Sequence, residues 1–323
     1  MTDRSTTTLP PAGIRAFATR HPVTAFLIMA FAIAYPVMSL LALAVHRVIP
    51  GGRLFDRLPF PPDEITGLVL TMLALLPSAL FVTWAADGRP GIVGLFKRIV
   101  RWRFGVGWWL AVLAGLPVLT VVSTLILGGS LESIDPVRLV WDQLRLLLIN
   151  FILVNLWEET AWAGVMQTRL ERRHNLFVAA VLTALPFGFI HLPLAFLSEI
   201  TIASVLISLV AYILLGLFLR PLVGVVLRGS RDSLLAAGLM HSVFNRTNNE
   251  NGIAAALLDG ELYRLAILIA VIVLIAALAL LAGRRRLSRA YRLELDVNPG
   301  GVARRRRNSS TQQSGPTEIS SQG

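Results

Sequence analysis

Eight apolar runs, each about as long as one membrane-spanning helix, constrain this 323-residue chain more than any other feature. A hydrocarbon core about 30 Å thick needs roughly 20 mostly apolar residues in every helix that crosses it. The runs lie near 23–46, 65–86, 107–127, 143–166, 177–197, 201–219, 232–247 and 262–283. With 55% hydrophobic and 15% charged residues, the composition is also far from that of a soluble domain. The sequence predicts an all-α, polytopic membrane protein, a bundle of about eight transmembrane helices.

The positive charges indicate how this bundle is oriented. If the N-terminus is cytoplasmic, the cytoplasmic segments hold 23 Lys or Arg residues and the opposite loops about 5. This asymmetry follows the positive-inside rule, so we expect a multi-pass cell-membrane protein with both termini in the cytoplasm. It also accounts for the net charge of +11 without nucleic acid as a partner. The first run is too long for the core of a cleavable signal peptide, so we expect it to stay as a span.

Three segments are expected on this basis. Residues 1–22 form a cytoplasmic N-terminal segment, and residues 23–283 form the transmembrane domain. Residues 284–323 form a tail rich in Arg, Ser and Gln, which we expect to be disordered and cytoplasmic. Membrane lipids are expected partners throughout, and anionic headgroups are a further partner for the tail.

Two adjacent acids lie inside the fourth apolar run. Glu158 and Glu159 stand in NLWEETAWAGV, residues 155–165, whereas the other acids fall in loops, tails or the ends of runs. An unpaired charge at this depth costs at least ~2–3 kcal/mol, so an ionisable residue there indicates a functional site. On a helix the two side chains diverge by about 100°, so one can face a cavity while the other lies behind it.

Two histidines, His191 and His241, also lie within apolar runs. Phe187 and His191 are four residues apart, as are His241 and Asn245, so each pair shares one helix face. Polar residues of this kind on three separate helices favour one common cavity. The candidate catalytic residues are Glu158, Glu159, His191, His241 and Asn245.

Glu, His and Asn together provide the groups that peptide hydrolysis needs: a base for water, a proton donor for the leaving amine, and donors toward the oxyanion. The absence of Cys excludes thiol catalysis, Cys-ligated metals and disulfides. The chain also lacks HExxH, GxGD and GxSG, which are typical of zinc, aspartyl and rhomboid-like serine proteases in membranes. Because a carboxylate base with an oxyanion site needs no Lewis acid, we expect no metal and no cofactor.

The order EE, FxxxH, HxxxN, each motif in its own run, resembles the CAAX protease and bacteriocin-processing family, also called the Abi family. These are intramembrane glutamic endopeptidases that include the type II prenyl-protein endopeptidases. The resemblance covers roughly residues 65–250. It implies that Glu158 is the general base that activates water and that His191 helps to hold that water. It further implies that His241 and Asn245 stabilise the oxyanion, and that the substrate is a peptide or protein, membrane-associated or lipidated.

One position departs from the family pattern. The first motif commonly reads EExxxR, and Ala163 stands where the Arg would be. Without that Arg, we expect Glu159 to be protonated or hydrogen-bonded to a polar neighbour, with Asn155 on the same helix face as the candidate. We also expect Glu159→Gln to be mild, because it would strand no buried guanidinium.

The sequence leaves two other functions open. Two Glu, two His and one Asn could hold a divalent ion in a metal-dependent membrane hydrolase. Alternatively, the chain is a non-enzymatic membrane scaffold or immunity protein that keeps the polar cluster without turnover. Our main expectation is a glutamate-dependent intramembrane endopeptidase that opens toward the cytoplasm and acts in CAAX-type or bacteriocin and peptide processing.

Overall fold

The computed structural model describes residues 13–57, 62–133, 135–198, 200–249, 251–258 and 262–297. It describes their side chains except those of residues 63, 136 and 282–297. Residues 1–12 of the expected N-terminal segment and 298–323 of the expected tail lie outside the described residues. The bundle considered below ends at Leu278, and Ala279 begins a second unit.

Helices account for nearly all of the first half of the described chain. In hydrocarbon every backbone polar group must be satisfied internally, which the helix achieves within one segment. The elements are α1 (Gly13–Arg20), α2 (Pro22–Val45), α3 (Gly52–Phe55), α4 (Pro62–Val69), a π-helical segment (Leu70–Leu75), α5 (Leu76–Ile99), α6 (Val106–Leu113) and α7 (Gly115–Ile126). Within α5, Gly88 adopts a φ of 65° and breaks the helix.

The second half continues in the same way. The elements are α8 (Pro136–Asn150), a π-helical segment (Phe151–Asn155), α9 (Leu156–Ala161), a further π-helical segment (Trp162–Gln167), α10 (Thr168–Leu170), α11 (Leu176–Ile190), a 3₁₀-helix (Leu192–Leu197), α12 (Ile202–Gly229), α13 (Leu234–Asn248), α14 (Ile253–Leu257) and α15 (Leu262–Val297). Because α15 runs to Val297, residues 284–297 of the expected tail are helical. The described residues contain no named strand, only an isolated bridge between Leu131 and Leu258.

The all-α, multi-pass membrane fold is confirmed, but fewer helices than expected pass as full spans. Among the described residues, six stretches are long and apolar enough: Pro22–Val45, Glu64–Ile99, Val137–Leu170, Leu176–Leu197, Ile202–Gly229 and Leu262–Leu281. A seventh arises if α6 and α7, which meet at 54°, form one bent span. The expected run 232–247 gives α13, whose 15 residues extend only about 22 Å.

One end of the bundle, here called the basic end, is held together by ion pairs between the ends of helices. Arg98 at the end of α5 lies 2.6 Å from Asp232, and Arg228 of α12 lies 3.1 Å from Glu171. Arg169 of α10 pairs with Asp87. The ends of α5, α10 and α12 and the start of α13 therefore lie on the same side of the bundle.

The other end, here called the opposite end, has its own hydrogen bonds between distant segments. Arg246 near the end of α13 donates to the Gln143 Oε1 atom of α8 at 2.9 Å. A nitrogen of His46, just after α2, lies 2.6 Å from the Phe196 carbonyl oxygen of the 3₁₀-helix. Since α12 has 28 residues, about 42 Å of helix separates its two ends. The short α13 begins just after Asp232 at the basic end, and Arg246 near its last residue makes one of the contacts of the opposite end.

Glycines let the helices that carry the candidate residues approach closely. A Cβ atom at Gly238 of α13 would lie 2.9 Å from the Leu156 Cα atom of α9. A Cβ atom at Gly188 of α11 would lie 2.9 Å from the backbone nitrogen of Ile213 in α12. Small residues at such crossings are typical of helix packing in membranes, where close van der Waals contact drives association. These two crossings bring α13 against α9, and α12 against α11.

Candidate active site

A cavity of about 680 Å³ lies among α4, α9, α11, α12 and α13. Four of the five candidate residues line it, namely Glu158, His191, His241 and Asn245. Glu159 is not among the lining residues and is fully buried behind them. The structure thus brings the three motifs to one place and separates the positions of the two glutamates.

Glu158 is a residue of the cavity lining, and its two carboxylate oxygens have different neighbours. Its Oε1 atom lies 3.4 Å from His191 Nε2. The Asn155 amide donates to Oε2 at 3.4 Å, and His241 Nδ1 lies 3.8 Å from the same oxygen. Asn155 in turn accepts a 2.9 Å hydrogen bond from the Ser242 hydroxyl of α13. Within the described part of the chain, Oε1 has no hydrogen-bond partner.

The partner of His191 Nδ1 determines how this ring can act. Nδ1 lies 2.6 Å from the Phe187 carbonyl oxygen, one turn back on α11. A carbonyl oxygen can only accept, so Nδ1 carries the proton and Nε2 of a neutral ring presents a lone pair to Glu158. Two acceptors 3.4 Å apart need a shared proton donor, either a water molecule that lies beside both atoms or a second proton on the ring. The Glu158–His191 pair is therefore suited to holding water.

Glu159 takes part in a buried triad with Arg220 and His241. Arg220 NH1 donates to Glu159 Oε2 at 3.0 Å, and its NH2 group pairs with Oε1. His241 Nδ1 donates to Glu159 Oε1 at 2.7 Å. The Arg220 guanidinium also lies 4.7 Å from the centre of the Phe187 ring. Both hydrogen bonds to the carboxylate oxygens and the ring contact hold the guanidinium in one orientation.

Two expectations about Glu159 are therefore wrong, and a third is revised. The guanidinium missing at Ala163 is supplied by Arg220 from α12, so Glu159 has a cationic partner. Asn155 bonds to Glu158 and not to Glu159, since positions three apart are neighbours on a helix surface just as positions four apart are. Removing the Glu159 charge would strand a buried guanidinium, so a mild effect of Glu159→Gln is no longer expected.

Arg220 is the site residue that the sequence reasoning missed. It was counted with the cytoplasmic segment 220–231, since the apolar run was taken to end at residue 219. In the structure α12 continues to Gly229, and the Arg220 side chain is 0% exposed. The signal was present in LGLFLRPLVGVV, where apolar residues continue beyond the Arg-Pro pair. The reasoning that singled out Glu158 applies equally to an Arg inside an apolar run.

The open side of the cavity conflicts with one pair of expectations. Exposed residues in its lining are Asn248 and Asn249 at the end of α13 and Arg264 near the start of α15. These positions belong to the opposite end of the bundle, where Arg246 donates to the Asn251 carbonyl oxygen. We expected the site to open to the cytoplasm and also expected the basic loops to lie there. The exposed lining residues and the basic loops are at different ends of the bundle, so the two expectations are incompatible.

The candidate residues were also compared with the ligand sets of metal sites. No group of three or more His, Cys, Asp or Glu side chains in the described residues has a geometry that could hold a metal ion. Both carboxylate oxygens of Glu159 accept hydrogen bonds from Arg220 or His241, so they are not available as metal ligands. The arrangement fits a metal site less well than it fits a water held by Glu158 and His191.

Comparison with known proteins agrees with the geometry. Residues 140–247 match the family model for the type II CAAX prenyl endopeptidase Rce1-like family. No curated protein and no solved structure gives a significant match. The matched segment contains all five candidate residues and also Arg220. Over residues 140–247 this chain is therefore similar to the Rce1-like, type II CAAX prenyl endopeptidase family.

Proposed function

We propose that this protein is a glutamate-dependent intramembrane endopeptidase and that Glu158 is its general base. The observation that carries the proposal is Glu158, a residue of the cavity lining whose Oε1 atom has no hydrogen-bond partner among the described residues and lies 3.4 Å from His191 Nε2. A water molecule that lies beside these two acceptors donates to both. Its oxygen then presents a lone pair to a peptide carbonyl carbon in the cavity.

The first chemical step forms the carbon–oxygen bond. The water oxygen attacks the carbonyl carbon while Glu158 takes one proton from the water. Negative charge develops on the former carbonyl oxygen, and His241 and Asn245 provide donors toward it. His241 donates its Nδ1 proton to Glu159, so it needs a second proton on Nε2 to act as a donor. The Glu159 carboxylate stabilises that imidazolium, and Arg220 holds Glu159 in place.

The second step breaks the peptide bond. Glu158 returns its proton to the leaving nitrogen, the carbon–nitrogen bond breaks, and the products are a carboxylic acid and an amine. Asn155 and Ser242 act through Glu158 and are positioning residues in this scheme. The substrate is a peptide or protein segment that enters the cavity, in agreement with the protein substrates of the family.

A cleavage assay on purified protein tests this proposal. Wild type and Glu158→Gln are compared on a library of peptides derived from a proteome, with cleavage sites read by mass spectrometry. We expect Glu158→Gln to lower turnover by roughly 10²- to 10⁴-fold, the range for loss of general acid–base catalysis. Glu171→Gln is the matched control, since Glu171 pairs with Arg228 at the basic end, away from the cavity. Equal activity of wild type and Glu158→Gln would contradict the proposal and favour a scaffold or immunity protein.

The orientation of the chain is part of the same proposal. The basic end carries Arg and Lys residues on α5, on and after α10, and on and after α12, so the positive-inside rule places this end in the cytoplasm. Arg220 no longer counts toward this asymmetry because it is buried. The remaining basic residues of the segment 220–231 still lie at the basic end, so the orientation is unchanged.

A further inference from the structure

We infer that Asn150 of α8 and Asn248 of α13 bind the main chain of the substrate, so that the cavity holds an extended peptide through its backbone groups. This inference rests on the proposed function and names two substrate-binding residues for the same site. Neither residue belongs to the three sequence motifs, and neither takes part in the chemical steps proposed above.

Asn150 is a polar residue in a stretch that is otherwise apolar. It stands in LLLINFILV, residues 146–154, with four apolar residues on either side. A polar side chain inside such a run is costly and indicates a function unless another group satisfies it. Asn150 is half-buried and belongs to the cavity lining, and its side chain makes no hydrogen bond to another described residue. Its amide is therefore available to a molecule in the cavity.

Two contacts between α13 and the stretch from α8 to α9 place Asn150 close to the reacting groups. The Ser242 hydroxyl donates to Asn155, and Arg246 donates to Gln143 nearer the opposite end of the bundle. Asn150 lies between these two contacts on its own stretch. At about 1.5 Å per residue it is about 7 Å along the helix from Asn155, the residue that holds the carboxylate base. A peptide bound at the base therefore passes Asn150 as it leaves the site.

The neighbouring helix α13 carries a matching row of amides. Asn245 and Asn248 follow His241 by four and seven residues, so the three side chains share one helix face, and all three belong to the cavity lining. Asn248 is exposed, and its side chain makes no hydrogen bond to another described residue. Asn150 and Asn248 thus continue the polar lining outward from Glu158 and His241 on two helices that contact each other.

Side-chain amides are suited to binding a peptide main chain. Each residue of an extended peptide has an N–H donor and a C=O acceptor, apart from proline, and entry into the cavity removes the water that satisfied them. An Asn side chain offers two donors and an acceptor oxygen, so it can pair with both kinds of group. A helical substrate keeps these groups bonded within itself and gains nothing from the asparagines. The amides therefore favour a segment that is extended where it is bound.

Asn150→Leu tests the inference, because a binding role and a structural role predict opposite results. Leu keeps the branching of the Asn heavy atoms and removes the hydrogen bonds, so the unfolding midpoint of the protein without substrate should rise or stay unchanged. On a peptide that wild type cleaves, we expect KM to rise roughly three- to tenfold with little change in kcat. Asn248→Ala should act in the same way, and Asn251→Leu, an exposed asparagine outside the lining, is the matched control. A lower unfolding midpoint or an unchanged KM in Asn150→Leu would overturn the inference.

Peptides methylated at one backbone nitrogen show whether the main chain is the group that is bound. Each backbone N–H of a cleaved peptide is methylated in turn, and KM is measured with wild type and with Asn150→Leu. At one position we expect methylation to raise the KM of wild type and to have little further effect in Asn150→Leu, because both changes remove the same contact. Additive effects at every position would overturn main-chain binding by Asn150.

Thiol labelling separates the inference from the proposed function, since it needs no turnover. The chain has no Cys, so Asn248→Cys in the full chain reports on one position. The purified variant is treated with a maleimide in the presence and absence of the peptide library. We expect saturating peptide to slow the labelling by roughly tenfold, because only the unbound protein reacts. Adding Asn150→Leu should remove most of this protection at lower peptide concentrations.

The two assays give distinct outcomes. Protection without cleavage keeps the peptide-binding residues and counts against the endopeptidase function. Cleavage that depends on Glu158, without protection, overturns the inference and leaves the endopeptidase function standing. The absence of both protection and cleavage overturns both.

Discussion

Arg220 of α12 and Glu159 of α9 form a two-pronged ion pair in which both side chains are 0% exposed. The pair joins two helices that are 61 residues apart in sequence and supplies the charge that Ala163 cannot. Because Glu159 also accepts from His241, the ion pair fixes a ring in the cavity lining. Arg220 of α12 therefore supplies the guanidinium that the EExxxR motif would supply from the position of Ala163.

The ion pair predicts strong coupling between its two partners. Arg220→Met alone leaves a buried carboxylate, and Glu159→Gln alone leaves a buried guanidinium, so each should cost about 3–5 kcal/mol. The double variant removes both charges and should be more stable than either single variant. Unfolding midpoints in one detergent measure this. Additive single effects would show that the pair is not coupled.

Activity should separate from stability in the same variants. The double variant recovers stability but leaves His241 without its carboxylate partner, so we expect its turnover to stay low. Arg220→Lys keeps the charge and loses the two-pronged geometry, so it should retain more activity than Arg220→Met. Full activity in the double variant would show that Glu159 has no role beyond packing.

The contact between Asn155 and Glu158 predicts a kinetic effect without loss of fold. Asn155→Ala removes the amide that holds Glu158 Oε2, and a hydrogen bond to a charged group contributes about 1.5–3 kcal/mol. We expect kcat to fall roughly ten- to hundredfold with little change in KM. Ser242→Ala removes only the group that orients Asn155, so its effect should be smaller. An unchanged kcat in Asn155→Ala would contradict a positioning role for Asn155.

The close approach at Gly238 predicts that a single methyl group disrupts the site. Gly238→Ala would place a Cβ atom 2.9 Å from the Leu156 Cα atom and push α13, with His241, away from α9. We expect a loss of about 1–3 kcal/mol in stability, together with reduced turnover. Gly94→Ala is the control, since a Cβ atom there meets nothing within 4 Å in α5. It should be neutral or slightly stabilising because Ala favours helix.

Hydrolysis should not depend on a metal ion. The proposed chemistry uses a carboxylate base and hydrogen-bond donors, which need no Lewis acid. We expect cleavage rates to be unchanged after dialysis against a chelator, as measured in the peptide assay. Loss of activity that Zn²⁺ restores would favour the metal-dependent hydrolase instead.

The sequence alone determined the fold class and the candidate residues, because both depend on local costs. A run of about 20 apolar residues must form a helix to satisfy its backbone in hydrocarbon, whatever its neighbours are. Glu158, His191 and His241 stood out since an ionisable group in such a run needs a partner or a function. These costs are properties of each segment, so they can be read without knowing how segments pack.

The tertiary structure alone decided which partners these residues have and where the site opens. The pairing of Arg220 with Glu159 joins side chains of α12 and α9 that are 61 residues apart in the sequence, so it depends on how these helices pack. The sequence allows Asn155 to reach either glutamate, and in the structure it bonds to Glu158 while Ser242 of α13 donates to its side-chain oxygen. The cavity is lined by residues of elements that are distant in the sequence, from Glu64 to Arg264, and no single segment encodes it.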